Sequence, residues 1–160
     1  MDNVTSIRKN QVAGKLALYF QREGLDYFHR REIRDEEDTI LFLTALPAGP
    51  HRLLCAIITD ASVYTIVRVS LGKRNPNHAE APDFLEFLRK LNANHAFFKY
   101  AINQDGGLFL DVCVPAVPKY FDPNIIRTTM NLIVYHLGEE YESIAKWLDV
   151  VGDANAEVNM

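Results

Sequence analysis

The sequence predicts an α+β domain: an antiparallel sheet of about five to six strands with an N-terminal, a middle and a long C-terminal helix. Two observations point there. Apolar residues recur at helical spacing in three separated stretches, while the strand-like runs between them are joined by short turns. Parallel neighbours need a crossover of a dozen or more residues, so short turns imply antiparallel pairing. The chain has 160 residues, 48% of them hydrophobic and 24% charged. That is one domain's worth of chain with an ordinary globular composition. We therefore expect a single domain over 5–150 and a flexible tail over 151–160.

The first helix is read over 5–23. Val12, Leu16, Tyr19 and Phe20 fall on one stripe, with Thr5 or Ser6 as the cap and Gly24 as the stop. Residues 27–34 alternate as a short, heavily charged strand suited to a sheet edge, where charge blocks pairing with other chains. The acidic cluster Asp35 to Asp38 then reads as a solvated turn. Strands follow over 39–46, 52–59 and 62–70, the first two joined by Pro47-Ala48-Gly49-Pro50 and the last two around Asp60-Ala61. Ile40 and Phe42 oppose Leu41 and Leu43; Leu53, Cys55 and Ile57 oppose Leu54, Ala56 and Ile58. A sheet with one wet face should alternate between apolar and polar residues. These strands are apolar on both faces, so both should be covered, one by helices and the other by something else, such as a second subunit.

A middle helix over 80–93 carries Phe84, Phe87, Leu88 and Leu91 as its buried stripe. Leu85 lies roughly 100° away by helix geometry and is expected to be exposed. A hairpin over 96–102 and 108–114 turns at Asn103-Gln104-Asp105-Gly106-Gly107. The last helix starts at Asp122-Pro123 and carries Ile126, Met130, Ile133, Leu137, Tyr141, Ile144 and Leu148. Read as ending at Gly152, it is about 40 Å long.

Most chemistry is set aside on spacing. His29, His51, His78, His95 and His136 are scattered, with no i, i+4 pair. His78-Ala79-Glu80 lacks the paired cysteines of a zinc-deaminase signature. Gly14-Lys15 lacks a phosphate loop's upstream glycine, and there is no Gly-x-Ser-x-Gly elbow. No metal, no cofactor and no catalytic residue is expected. Phe97-Phe98-Lys99-Tyr100 could stack bases, but the net charge is −4, without the basic footprint of nucleic-acid binding. Cys55 and Cys113 are too few for a disulfide scaffold and suit a reducing compartment. With no signal-like segment and no apolar run of membrane-spanning length, the expectation is a cytoplasmic protein without membrane contact.

Phe84-Leu85-Glu86-Phe87-Leu88-Arg89-Lys90-Leu91-Asn92, then 96–102, then Asp105-Gly106-Gly107-Leu108-Phe109-Leu110, resemble the YbjN-like family, described as bacterial sensory transduction regulators. In that family a helix ending in Leu-Asn leads into a hairpin with an Asp/Gly-rich turn. The resemblance covers roughly residues 5 to 148. It implies a fold similar to type III secretion chaperones, with protein binding and dimer formation, and carries over no catalytic residues.

The sequence thus reads as a non-enzymatic protein-binding domain, chaperone-like or regulatory, with an unidentified protein partner or a homodimer. Leu85, Tyr64 and Ile66 are the candidate interaction surface. The alternative is a small-molecule sensor with a pocket between sheet and long helix, served by His136 and Tyr141. An enzyme built from scattered carboxylates ranks last.

Overall fold

The computed structural model describes residues 9–155. Helix α1 (Gln11–Arg22) leads to β1 (His29–Glu32), β2 (Ile40–Ala48), β3 (His51–Thr59) and β4 (Tyr64–Lys73). A 3-10 turn (Pro76–His78) and α2 (Pro82–Asn94) precede the hairpin β5 (Lys99–Ile102) and β6 (Gly107–Pro115). The long helix α3 (Asn124–Ala145) and a short β7 (Val150–Val151) complete the α+β domain. The sheet has seven strands, in the order β1-β2-β3-β4-β6-β5 with β7 also on β4, and every pairing is antiparallel.

Asn10, not Thr5 or Ser6, caps α1. Its side-chain oxygen accepts from Ala13 N at 3.0 Å, satisfying an otherwise orphaned helix donor. Its amide also donates to Thr59 Oγ1 at 2.9 Å, tying the helix start to the sheet. Thr5 and Ser6 lie outside the described residues. Gly24, at φ +65°, ends the helix as its sequence position suggests.

The charged strand pairs with the sheet: His29 to Glu32 lie opposite Leu43 to Ile40, and all four are exposed. Ile33 N–H donates to Thr39 C=O, which sets the phase of this ladder. By alternation, the backbone groups of Leu41, Leu43, Ala45 and Pro47 point toward the β1 side. β1 stops opposite Leu43, so Ala45 and Pro47 lie on free edge. Pro47 is tolerated there because its missing N–H faces away from the β3 ladder.

All three helices pack on one face of the sheet. Phe42, Ile57, Val67 and Val112 lie in one row across it, and Cys55, Val69, Leu110 and Tyr100 in another. Both rows belong to the same buried cluster as Leu16 of α1, Phe84 of α2 and Ile133 of α3.

Asn92 has a role that its place at the end of α2 does not announce. Its amide donates to Tyr100 C=O at 3.0 Å and accepts from Tyr100 N–H at 2.7 Å. The side chain thereby supplies the donor and acceptor of a neighbouring strand, closing the β5 edge.

The C-terminal region departs from its sequence reading. α3 ends at Ala145, so its 22 residues span about 33 Å. Leu148 continues the apolar spacing but not the helix, because tertiary bonds take over the backbone. Arg74 donates to Trp147 C=O at 2.7 Å, and Asp149 N–H bonds to Lys73 C=O at 2.9 Å. The chain then pairs as β7 against Gly72 and Lys73, where β4 has lost its β3 neighbour. Gly152 is pressed close: a Cβ there would meet Leu53 Cδ2 at 2.8 Å and Leu71 O at 3.0 Å. Ala154 is fully buried. The tail expected over 151–160 is therefore docked as far as Ala154, and 156–160 lie outside the described residues.

Candidate functional site

Among the described residues no helix packs over the second face of the sheet. One row across it runs Arg31, Leu41, Ile58, Ile66 and Cys113. The next runs His29, Leu43, Ala56, Arg68, Asp111 and Lys99. Ala45 pairs with Leu54 beside them. Leu41, Leu54, Ala56, Ile58 and Ile66 are half-buried. Leu43 is only 6% exposed, yet it stands outside the main core cluster, on this opposite face.

The one charged pair in the middle of this face is neutralised within the chain. Arg68 Nε and Nη2 reach the two oxygens of Asp111, both at 2.8 Å. The guanidinium also stands 5.0 Å from the Phe109 ring centre, giving a two-point carboxylate contact plus a cation–π contact.

Tyr64 and Ile66 are on this face, Tyr64 at its end opposite Pro115 and 54% exposed. Leu85 is exposed, as its helix angle predicts, but it sits on α2, whose Phe84, Leu88 and Leu91 pack into the helix-side core. The three candidate residues are therefore not one surface. The two cysteines are also separated: Cys55 is buried in the helix-side core and Cys113 is exposed on the open face. Burial pushes the Cys55 thiol up to about 12, leaving Cys113 as the accessible thiol.

The expected pocket between sheet and long helix exists in two places: Tyr141 lines a cavity of about 240 Å³ beside the β2–β3 turn, and a larger one opens toward the start of α3, away from His136. A cavity of about 400 Å³ lies at the free edge of β2, between α1, α3 and the segment before β1. Its apolar wall includes Phe20, Phe28, Leu46, Ile126 and Met130; Thr44, Arg52, Arg127 and Asn131 bring polar groups. His136 is instead buried on α3 and hydrogen-bonds the Tyr100 hydroxyl through Nε2. Burial, aided by His95, lowers its pKa to about 4, while burial and Glu140 raise that of Tyr100. Both are neutral near pH 7. Tyr141 is committed as well, donating to Leu71 C=O at 2.7 Å and accepting from Gly152 N–H at 3.2 Å.

The acidic cluster behaves as a turn. Asp35 accepts from Thr39 Oγ1 at 2.6 Å and Thr39 N–H at 2.8 Å, and these bonds hold its carboxyl below the usual range. Asp38 accepts from Asn10 N–H at 3.2 Å. Among the described residues no group of three His, Cys, Asp or Glu side chains is placed to hold a metal, and no helix is long and apolar enough to cross a membrane.

No family model and no curated protein matches this chain.

Sequence reasoning found the doubly apolar strands and a pocket between sheet and long helix, but neither the Arg68–Asp111 pair nor the residues that line the larger cavity. The pair joins residues 43 positions apart, across the β4–β6 ladder. The cavity wall comes from four separate stretches, near 19–28, 44–47, 52 and 126–134.

Proposed function

We propose that this chain is a non-enzymatic protein-binding domain, chaperone-like or regulatory and cytoplasmic, whose binding surface is the uncovered face of the sheet. The observation that carries the reading is the row of Leu41, Ile58 and Ile66 beside Leu43, Ala56 and Leu54, apolar residues with no helix above them among the described residues. Contiguous apolar surface of this kind marks interaction sites in soluble proteins.

The occupant we favour is a second copy of the chain. The four long strands β2, β3, β4 and β6 make a face roughly 19 Å by 30 Å, on the order of 600 Å². A stable interface covers about 800 Å² per partner, and the flanking strands β1 and β5 add toward it. A two-fold interface requires a surface that complements itself. Here the central charges are already paired, Arg68 with Asp111, so the middle of two such faces can meet without burying an unpaired charge, while Arg31 and Lys99 stay at the rim. The dimer tendency implied by the YbjN-like resemblance agrees with this reading.

Sedimentation of the wild type, Ile66→Glu and Leu85→Glu across a wide concentration range tests it. The expected result is a dimer for wild type and Leu85→Glu, and a monomer for Ile66→Glu. A monomeric wild type at the highest concentration, or dissociation by Leu85→Glu alone, overturns it.

A further inference from the structure

We infer that the cavity at the free edge of β2 is a binding site for a small amphipathic carboxylate, a compound with a compact aromatic or aliphatic body and one anionic end. The volume, about 400 Å³, lies within the usual range for small-molecule pockets, which are apolar with a few placed polar groups. Its aromatic wall, from Phe20 and Phe28 stacked at 4.1 Å, suits a flat or chain-like apolar body.

The polar part selects the charge. Arg52 and Arg127 line the cavity, and no carboxylate does, although the chain as a whole carries −4. Arg52 has no carboxylate partner among the described residues. Arg127 meets Glu23 at 3.6 Å, with both side chains about half exposed, a pairing that water weakens. Thr44 reaches the wall from the helix side of β2, only 5% exposed, and brings its hydroxyl there. Ala45 adds a backbone N–H on the free strand edge. A carboxylate accepts from all of these donors and takes two parallel bonds from a guanidinium.

The probe is 2-naphthoate, with neutral 2-naphthylmethanol as its charge control, titrated calorimetrically near pH 7. The wild type is expected to bind 2-naphthoate saturably and about tenfold or more tightly than the alcohol. Arg52→Gln with Arg127→Gln removes that preference. Both arginines are exposed, so the double variant keeps the wild-type circular dichroism. Val134→Trp fills the cavity and abolishes binding of both probes. Ile58→Glu, on the open face, leaves both affinities unchanged, which separates this site from the sheet surface. No saturable heat from 2-naphthoate, a preference that survives loss of both arginines, or binding lost in Ile58→Glu overturns the inference.

Discussion

The two faces of one sheet are built from the same strands and the same kinds of residue, yet they have different environments. On the helix side Leu53, Cys55, Ile57, Val67, Val69 and Leu110 are fully buried. One residue along, Leu54, Ala56, Ile58 and Ile66 are half-buried. Successive strand side chains alternate between faces, so a step of one residue is the whole difference. Composition therefore says nothing about which face is finished; only the placement of the helices does. The helix face is organised for stability. The open face has an apolar centre and one internally neutralised ion pair, and in the proposed reading it meets a second copy of the chain.

The sharpest way to break that contrast is the same truncation on neighbouring residues. Leu53→Ala should cost about 3 kcal/mol or more of unfolding free energy, since it leaves a cavity in a closed core. Leu54→Ala should cost about 1 kcal/mol or less in the monomer. Equal losses in urea denaturation would mean that the two faces are not energetically distinct.

Acid sharpens it next. The pKa of His136 is lowered from 6.5 to about 4 by burial in the helix-side core. Below pH 6.5 the unfolded chain takes up a proton that the folded chain refuses, so stability falls from pH 6.5 toward pH 4. The loss from this residue should approach roughly 2–3 kcal/mol at pH 4. Tyr100→Phe with His136→Phe should flatten that slope in denaturation series across the window; an unchanged slope would assign it elsewhere.

Smaller effects lie at the margins of the sheet. Asn92→Ala strips the β5 edge of both side-chain bonds and should cost about 1–2 kcal/mol by thermal or urea unfolding. Arg68→Ala removes a partly exposed pair and should change monomer stability by about 1 kcal/mol or less. A dimer, by contrast, should suffer visibly from it, because Asp111 is then buried unpaired.

The fold was largely legible, and the reasons are local. Val12, Leu16 and Phe20 mark α1; Leu108, Leu110 and Val112 mark the buried side of β6; short turns enforce antiparallel pairing. The end of α3 misled because Leu148 keeps the helical spacing, while the bonds that end the helix come from Lys73 and Arg74, over seventy residues earlier. Asn92 reads as a helix-end residue, and only the neighbouring Tyr100 backbone reveals it as an edge cap. The apolar second face was visible as doubly apolar strands. The sequence groups Leu85 with Tyr64 and Ile66 because exposure can be read from a helix angle, whereas the side of the molecule cannot.

The most direct test of the open face uses its own thiol. Cys113 lies opposite Ile66 on that face and is exposed, while Cys55 is buried and protonated. Modification of Cys113 by a thiol reagent should slow as protein concentration rises and two faces close over it, and Ile66→Glu should restore the fast rate. A rate that stays the same at every concentration, with and without Ile66→Glu, would contradict it.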